Sequence, residues 1–120
     1  MKLVDLNDGV VISYYPNRMV CSSKKVIEQL KKYIQLSSYS TEAGGLLIGY
    51  KRGNHFEITN ITYPYKEDIR DINYFERKDK KHINTLKYIR KLSLGAKSYL
   101  GEWHTHPEPN PRPSSLDITE

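Results

Sequence analysis

Prolines occupy positions 107, 109, 111 and 113, directly after Glu102-Trp103-His104-Thr105-His106. No other feature restricts this chain so tightly. Each proline fixes φ and removes a backbone donor, so the run excludes helix and favours an extended, stiff path. Such a path can carry the chain away from one element and return it with little entropy to lose. The residues before it, 97–106 (KSYLGEWHTH), read as a strand. Side chains alternate faces along a strand, so His104 and His106 point one way and Thr105 the other. The residues after it are Ser114-Ser115-Leu116-Asp117. Two histidines on one face are either a pair of metal ligands or an ordinary surface pair.

The rest of the chain supplies a scaffold. Residues 10–15 (VVISYY) read as a strand bounded by Gly9 and Pro16. Residues 22–38 read as a helix, with Val26, Ile27, Leu30, Tyr33 and Ile34 on one stripe and Ser22 or Ser23 as its cap. Residues 44–50 (GGLLIGY) form a short apolar run, as in a buried strand, and 51–54 (KRGN) a hairpin-type turn into a returning strand over 55–64. Residues 65–78 are polar and read as a loop lying over a site. Residues 79–93 read as a second helix with Ile83, Leu86 and Ile89 on one side, Asp79 as its cap, and Leu94-Gly95 as its end. The predicted class is α/β or α+β, a mixed sheet flanked by helices.

The chain has 120 residues, enough for one modest core. It is therefore expected to be one domain, 1–120. Hydrophobic residues make up 38% and charged residues 28%, with no apolar run long enough to span a bilayer. Asp5 and Asp8 interrupt any signal-peptide core, which points to the cytoplasm. The single cysteine, Cys21, agrees with that, and it excludes an intrachain disulfide or a Cys-x-x-Cys metal pair. The net charge is +5. Because acidic and basic residues interleave, as in KEDIRDINYFERKDKKH, a solvated surface explains this better than a nucleic-acid footprint. An excess of this kind could also steer an acidic protein partner.

A catalytic zinc commonly takes three protein ligands and leaves a position for water. Asp117 is the nearest carboxylate beyond the prolines. Two imidazoles and a carboxylate suit zinc or another borderline divalent ion. The competing reading makes Ser114 and Asp117 a capping arrangement at the start of a helix, and a capped first turn would also hold Asp117 rigidly. Hydrolysis further needs a base for the water. Glu42, directly before Ala43-Gly44-Gly45, is either that base or a solvated strand-end residue. Gly44 and Gly45 would let another backbone come close. Glu102 lies on the face of His104; it either orients an imidazole or pairs with a lysine.

Taken together, Glu42 followed by AGGLLIGY, then HTHP at 104–107, then Ser114 and Asp117, resembles the JAMM (MPN+/JAB) metallopeptidase family. That signature is a glutamate, a distant His-x-His, ten residues and an aspartate, with a serine three before it. Residues 107–116 are the ten between His106 and Asp117. The string YLGEWHTHPEPNPRPSSLD is most similar to the bacterial JAB branch encoded beside ubiquitin-like conjugation enzymes, including those of CBASS-type antiphage operons. YFERKDKKH (74–82) also resembles that branch.

The resemblance implies an MPN/JAB (cytidine-deaminase-like) fold. It implies one Zn2+ held by His104, His106 and Asp117, with Glu42 deprotonating the water and Ser114 donating to the oxyanion. It implies hydrolysis of the peptide or isopeptide bond after the C-terminal tail of a ubiquitin-like protein, with E1- or E2-like enzymes as operon partners. Family domains generally continue beyond the aspartate through a helix and further strands, so ending at Glu120 would make this chain a fragment or a short member. The alternative reading is a catalytically inactive MPN-type scaffold, which the complete ligand set argues against. A nucleic-acid module has only the net charge in its favour.

Overall fold

The computed structural model describes residues 10–11, 19–33, 41–106 and 116–119. Eight strands and two helices follow in chain order: β1 (Val10–Val11), β2 (Val20–Ser22), α1 (Lys24–Lys31), β3 (Gly44–Arg52), β4 (His55–Ile61), β5 (Ile69–Asp71), β6 (Tyr74–Glu76), α2 (Lys81–Leu92), β7 (Ser98–Thr105) and β8 (Leu116–Thr119). Six strands form one sheet in the order β1-β2-β4-β3-β7-β8, and β5 and β6 form a separate hairpin. The β2–β4 pairing is parallel and the other pairings are antiparallel, so the sheet is mixed.

α1 forms within the stretch expected to be helical but covers only Lys24–Lys31, with Ser22 in β2 and residues 32–33 in a turn. The Ser23 hydroxyl accepts the Val26 N–H at 3.3 Å, and Val26, Ile27 and Leu30 are buried. These residues meet Val20, Leu47, Ile58, Trp103 and Ile118 in the main core, with Tyr33 and Tyr63 packed against it. Leu46 and Ile48 are also fully buried, yet lie outside that cluster. α2 packs against β3 and β7. β3 is thus covered on both sides, which is why its run is continuously apolar rather than alternating.

The stretch 65–78 is not only a loop: it contains the β5–β6 hairpin, whose strands are three residues each and largely exposed. β2 escaped notice because it too has only three residues; its parallel partner β4 makes it a strand. In α2 the buried residue is His82, not Ile83, which is 39% exposed. Asp79 does act at the start of α2, its Oδ1 accepting the Lys81 N–H at 2.9 Å. The helix reading at Ser114–Asp117 is overturned over 116–119, which is the edge strand β8. Leu-Asp-Ile-Thr alternates apolar and polar residues and finishes on β-branched Ile118 and Thr119, and β7 offers a partner at each position. Residues 12–15 of the first expected strand, 34–38 of the first expected helix, the prolines and Ser114 lie outside the described residues.

His82 is buried because its imidazole is fully partnered. Thr62 Oγ1 lies 2.5 Å from His82 Nδ1, and Asp68 Oδ2 lies 2.5 Å from His82 Nε2. The Asp68 carboxylate only accepts, so Nε2–H donates to it and the Thr62 hydroxyl, which accepts the Leu46 N–H at 2.7 Å, donates to Nδ1 of the neutral imidazole. Asp68 also accepts the N–H groups of Tyr65, Lys78 and Asp79 at 2.9, 2.7 and 2.8 Å. One carboxylate thereby staples together both ends of the segment that carries the hairpin.

Burial alone would raise the Asp68 pKa. The hydrogen bonds from Asp79, Tyr65, His82 and Lys78 outweigh it and hold Asp68 below the ordinary carboxylate range. A depressed carboxylate stabilises the fold above its unfolded-state pKa, and that stability is lost as pH falls through the folded-state value. Asp68→Asn is therefore expected to cost about 2–3 kcal/mol at neutral pH, because an amide N–H would face the Tyr65 and His82 donors. The deficit should shrink below about pH 4, where the parent loses the same contribution. Urea denaturation at pH 7 and pH 3 checks this; an equal deficit at both would contradict it.

Candidate metal centre

The residues of the candidate metal site are brought together by strand register. His104 pairs with Asp117 across β7 and β8, and Trp103 pairs with Ile118. Directly opposite residues in an antiparallel pair share a face. Trp103 and Ile118 are 1% and 3% exposed and belong to the core, which forces His104 and Asp117 onto the other side. His106, two residues on, joins them, while Thr105 is buried on the opposite face. A slip of one residue would send Asp117 into the core, so the apolar pair fixes the polar one.

The two imidazole rings lie edge to face with centroids 4.8 Å apart. His104 Nε2 is 3.7 Å from Asp117 Oδ2, and His106 Nε2 contacts the same oxygen. One ligand atom from each of the three residues lies within 4.8 Å of the others. Ligand atoms around a tetrahedral zinc with bonds of about 2.0–2.1 Å lie roughly 3.4 Å apart. The cluster therefore needs only small side-chain movements to close on an ion. Among the described residues Asp117 Oδ1 is buried without a hydrogen-bond partner, an unmet acceptor that a cation would satisfy. Burial lowers the His104 pKa, as does the neighbouring His106, against the opposing pull of Asp117 and Glu102. His104 is thus held toward the neutral form that binds metal.

Glu42 reaches the same region by another route. It lies just before β3, where Gly44 pairs with His104. The Ala43 N–H donates to Thr105 Oγ1 at 3.0 Å, and the Thr105 N–H donates to the Ala43 carbonyl at 2.9 Å, so this segment runs beside the end of β7. Such closeness requires glycine. A Cβ on Gly45 would sit 2.1 Å from the Thr62 carbonyl oxygen, and one on Gly44 would sit 2.7 Å from both the Phe75 ring and the Trp103 carbonyl. Burial raises the Glu42 pKa, opposed by the charge of His106. A carboxylate so shifted is a better proton acceptor than an ordinary glutamate.

A cavity of about 330 Å³ opens beside the cluster, with Glu42, Glu102 and His104 on the sheet side and Asn73, Phe75 and Arg77 on the hairpin side. Among the described residues, Glu102 hydrogen-bonds no imidazole and pairs with no lysine. It binds Arg77, with nitrogen–oxygen distances of 3.1 and 3.2 Å, and so ties the hairpin to β7. Sequence reasoning missed Arg77, Phe75 and the hairpin around them. Ser114 lies outside the described residues.

A His-x-His strand with an aspartate delivered by the next strand is consistent with a JAMM-type site on a JAB-like sheet. The chain belongs to the family described as prokaryotic homologs of the JAB domain, whose model matches residues 24–120. It is 42% identical over 115 residues to the CD-NTase/cGAS isopeptidase of Escherichia coli (strain TW11681), covering 96% of this chain and 73% of that protein. The isopeptidase of the same name from Pseudomonas aeruginosa (strain BWHPSA011 / Pa011) is 42% identical over 98 residues, or 82% of this chain and 62% of its own length. That of Vibrio cholerae serotype O1 (strain ATCC 39315 / El Tor Inaba N16961) is 39% identical over 92 residues, or 77% and 59%. This chain is homologous to all three, and it carries a His-His-Asp cluster able to hold a metal ion. Among the described residues no helix is long and apolar enough to cross a membrane.

Proposed function

We propose that this chain is a zinc-dependent isopeptidase that hydrolyses the bond after the C-terminus of a ubiquitin-like protein. The reaction releases that protein from a conjugate or trims its precursor. The observation that carries this reading is Asp117: register places it opposite His104 and beside His106, with a buried oxygen left unpartnered. Homology to proteins named CD-NTase/cGAS isopeptidases supports the reaction class. It also supports a conjugated nucleotidyltransferase as the substrate and a role in antiphage defence, where E1- and E2-like enzymes would build the conjugate.

His104, His106 and Asp117 would hold the ion. Zinc supplies Lewis-acid polarisation of the scissile carbonyl and activation of water in such a site. Glu42 takes the proton of the attacking water and hands it to the leaving amine. Ser114, three residues before Asp117, donates a hydrogen bond to the oxygen that becomes negative in the transition state. The extended C-terminal tail of the substrate would lie along the cavity between the sheet and the hairpin, or add as a strand to the sheet edge.

The test is hydrolysis of a ubiquitin-like protein joined through its C-terminus to a lysine side chain of a nucleotidyltransferase. Mass spectrometry should find both partners separated, with a free carboxylate on the tail and a free amine on the lysine. Chelation should stop the reaction and added zinc should restore it. A zinc-loaded chain that leaves both this conjugate and a linear fusion intact would overturn the proposal.

A further inference from the structure

Glu42 has no place in the sheet ladder. Regular pairing of β3 with β7 begins only at Gly44. The backbone groups of Glu42 are satisfied instead by the hairpin: its N–H donates to the Asp71 carbonyl at 2.7 Å, and its carbonyl accepts from Arg70 Nε at 2.8 Å. A second guanidinium nitrogen of Arg70 reaches the Thr41 carbonyl at 3.5 Å. A planar guanidinium can hold two successive carbonyls at once, which an ammonium on a flexible stem cannot do with the same definition.

We infer that Arg70 is a positioning residue for Glu42: through Arg70 and the Asp71 carbonyl, the β5–β6 hairpin fixes the backbone from which the Glu42 carboxylate faces the His104–His106–Asp117 cluster. The inference rests on the assignment of Glu42 as the proton acceptor.

A two-stranded hairpin of this length has little stability of its own. Its rigidity comes from below and from the side. Below, Asp68 closes its base and is joined through His82 and Thr62 to the Leu46 N–H in β3. Thr62, His82 and Asp68 have the composition of a nucleophile–base–acid triad, but Thr62 and His82 are 0% exposed and no substrate can reach them. They act as a strut. From the side, Phe75 lies over Gly44, whose missing Cβ leaves room for its ring, and Arg77 grips Glu102 on β7. The hairpin is therefore anchored to the sheet at several points, and Glu42 takes its position from it. Misplacing a catalytic group by about 1 Å can cost on the order of a hundredfold in rate.

The experiment compares Arg70→Ala, Arg70→Lys and Glu42→Gln with the parent in the zinc-loaded chain. Arg70 is exposed, so its removal leaves the core intact. Arg70→Ala is expected to lower kcat about ten- to a hundredfold, with KM and zinc content close to the parent. Arg70→Lys, which keeps one donor for the Glu42 carbonyl, should recover part of the loss. Amide hydrogen exchange gives a readout independent of turnover: the Glu42 N–H should exchange faster in Arg70→Ala while amides in β3 keep their protection. Unchanged kcat in Arg70→Ala alongside an inactive Glu42→Gln would overturn the positioning role and leave the Glu42 assignment standing. So would an unchanged Glu42 exchange rate. A fully active Glu42→Gln would overturn the assignment itself, and the role of Arg70 with it.

Discussion

Glu42→Gln is expected to lower turnover by about a hundred- to ten-thousandfold while zinc stays bound. Gln keeps the shape of the side chain and can still hydrogen-bond a water, but it cannot take a proton. Glu42 is not among the three clustered ligand residues, so the metal should not notice its replacement. The substitution also puts a neutral group where burial already disfavours charge, so stability should hold or rise slightly. Parallel measurement of kcat, bound zinc and melting temperature separates these effects. Loss of zinc together with activity would mean that Glu42 is a ligand; full activity would remove it from the chemistry.

His104→Ala is expected to weaken metal binding strongly and to abolish hydrolysis. Apparent zinc affinities of about 10–16 kcal/mol spread over roughly four ligands leave about 2.5–4 kcal/mol for each, a loss of roughly sixty- to several-hundredfold in affinity. His104 is also the residue shared by the cluster and the cavity, so its removal opens the cluster to solvent on the cavity side. The fold should survive, because the strand register depends on Trp103 and Ile118 rather than on the imidazole. Isothermal titration with zinc and a thermal melt of the metal-free protein check the two halves of this expectation. Parent-like zinc affinity in His104→Ala would contradict the ligand assignment.

The sequence made parts of this arrangement readable for identifiable reasons. Alternation along a strand was enough to put His104 and His106 on one face, and the burial of Thr105 agrees with it. Spacing pointed to Asp117, but for the wrong local reason. Ser114 and Asp117 read in sequence as a capped helix turn, whereas pairing with β7 makes Leu116–Thr119 a strand. Pairing of that kind is non-local and leaves only a two-fold alternation in four residues to signal it. Glu42 was an ambiguous strand-end acid until the resemblance singled it out.

The hairpin was not legible at all. Its strands are too short for a periodic signal, and the interactions that hold it run from Asp68 to backbone amides ten and eleven residues away. In α2, counting apolar residues favoured Ile83. The chain instead buries His82, a polar residue made acceptable inside by Thr62 and Asp68. What sequence patterns missed is mostly polar structure, in which burial depends on partners distant along the chain.

The most direct test of this account is the zinc content of the purified chain, measured by elemental analysis after exhaustive dialysis without chelator. About one zinc per chain is expected, retained in Glu42→Gln and lost in His104→Ala. A folded chain that carries no zinc and takes none up on titration would contradict the assignment of His104, His106 and Asp117 as a metal centre.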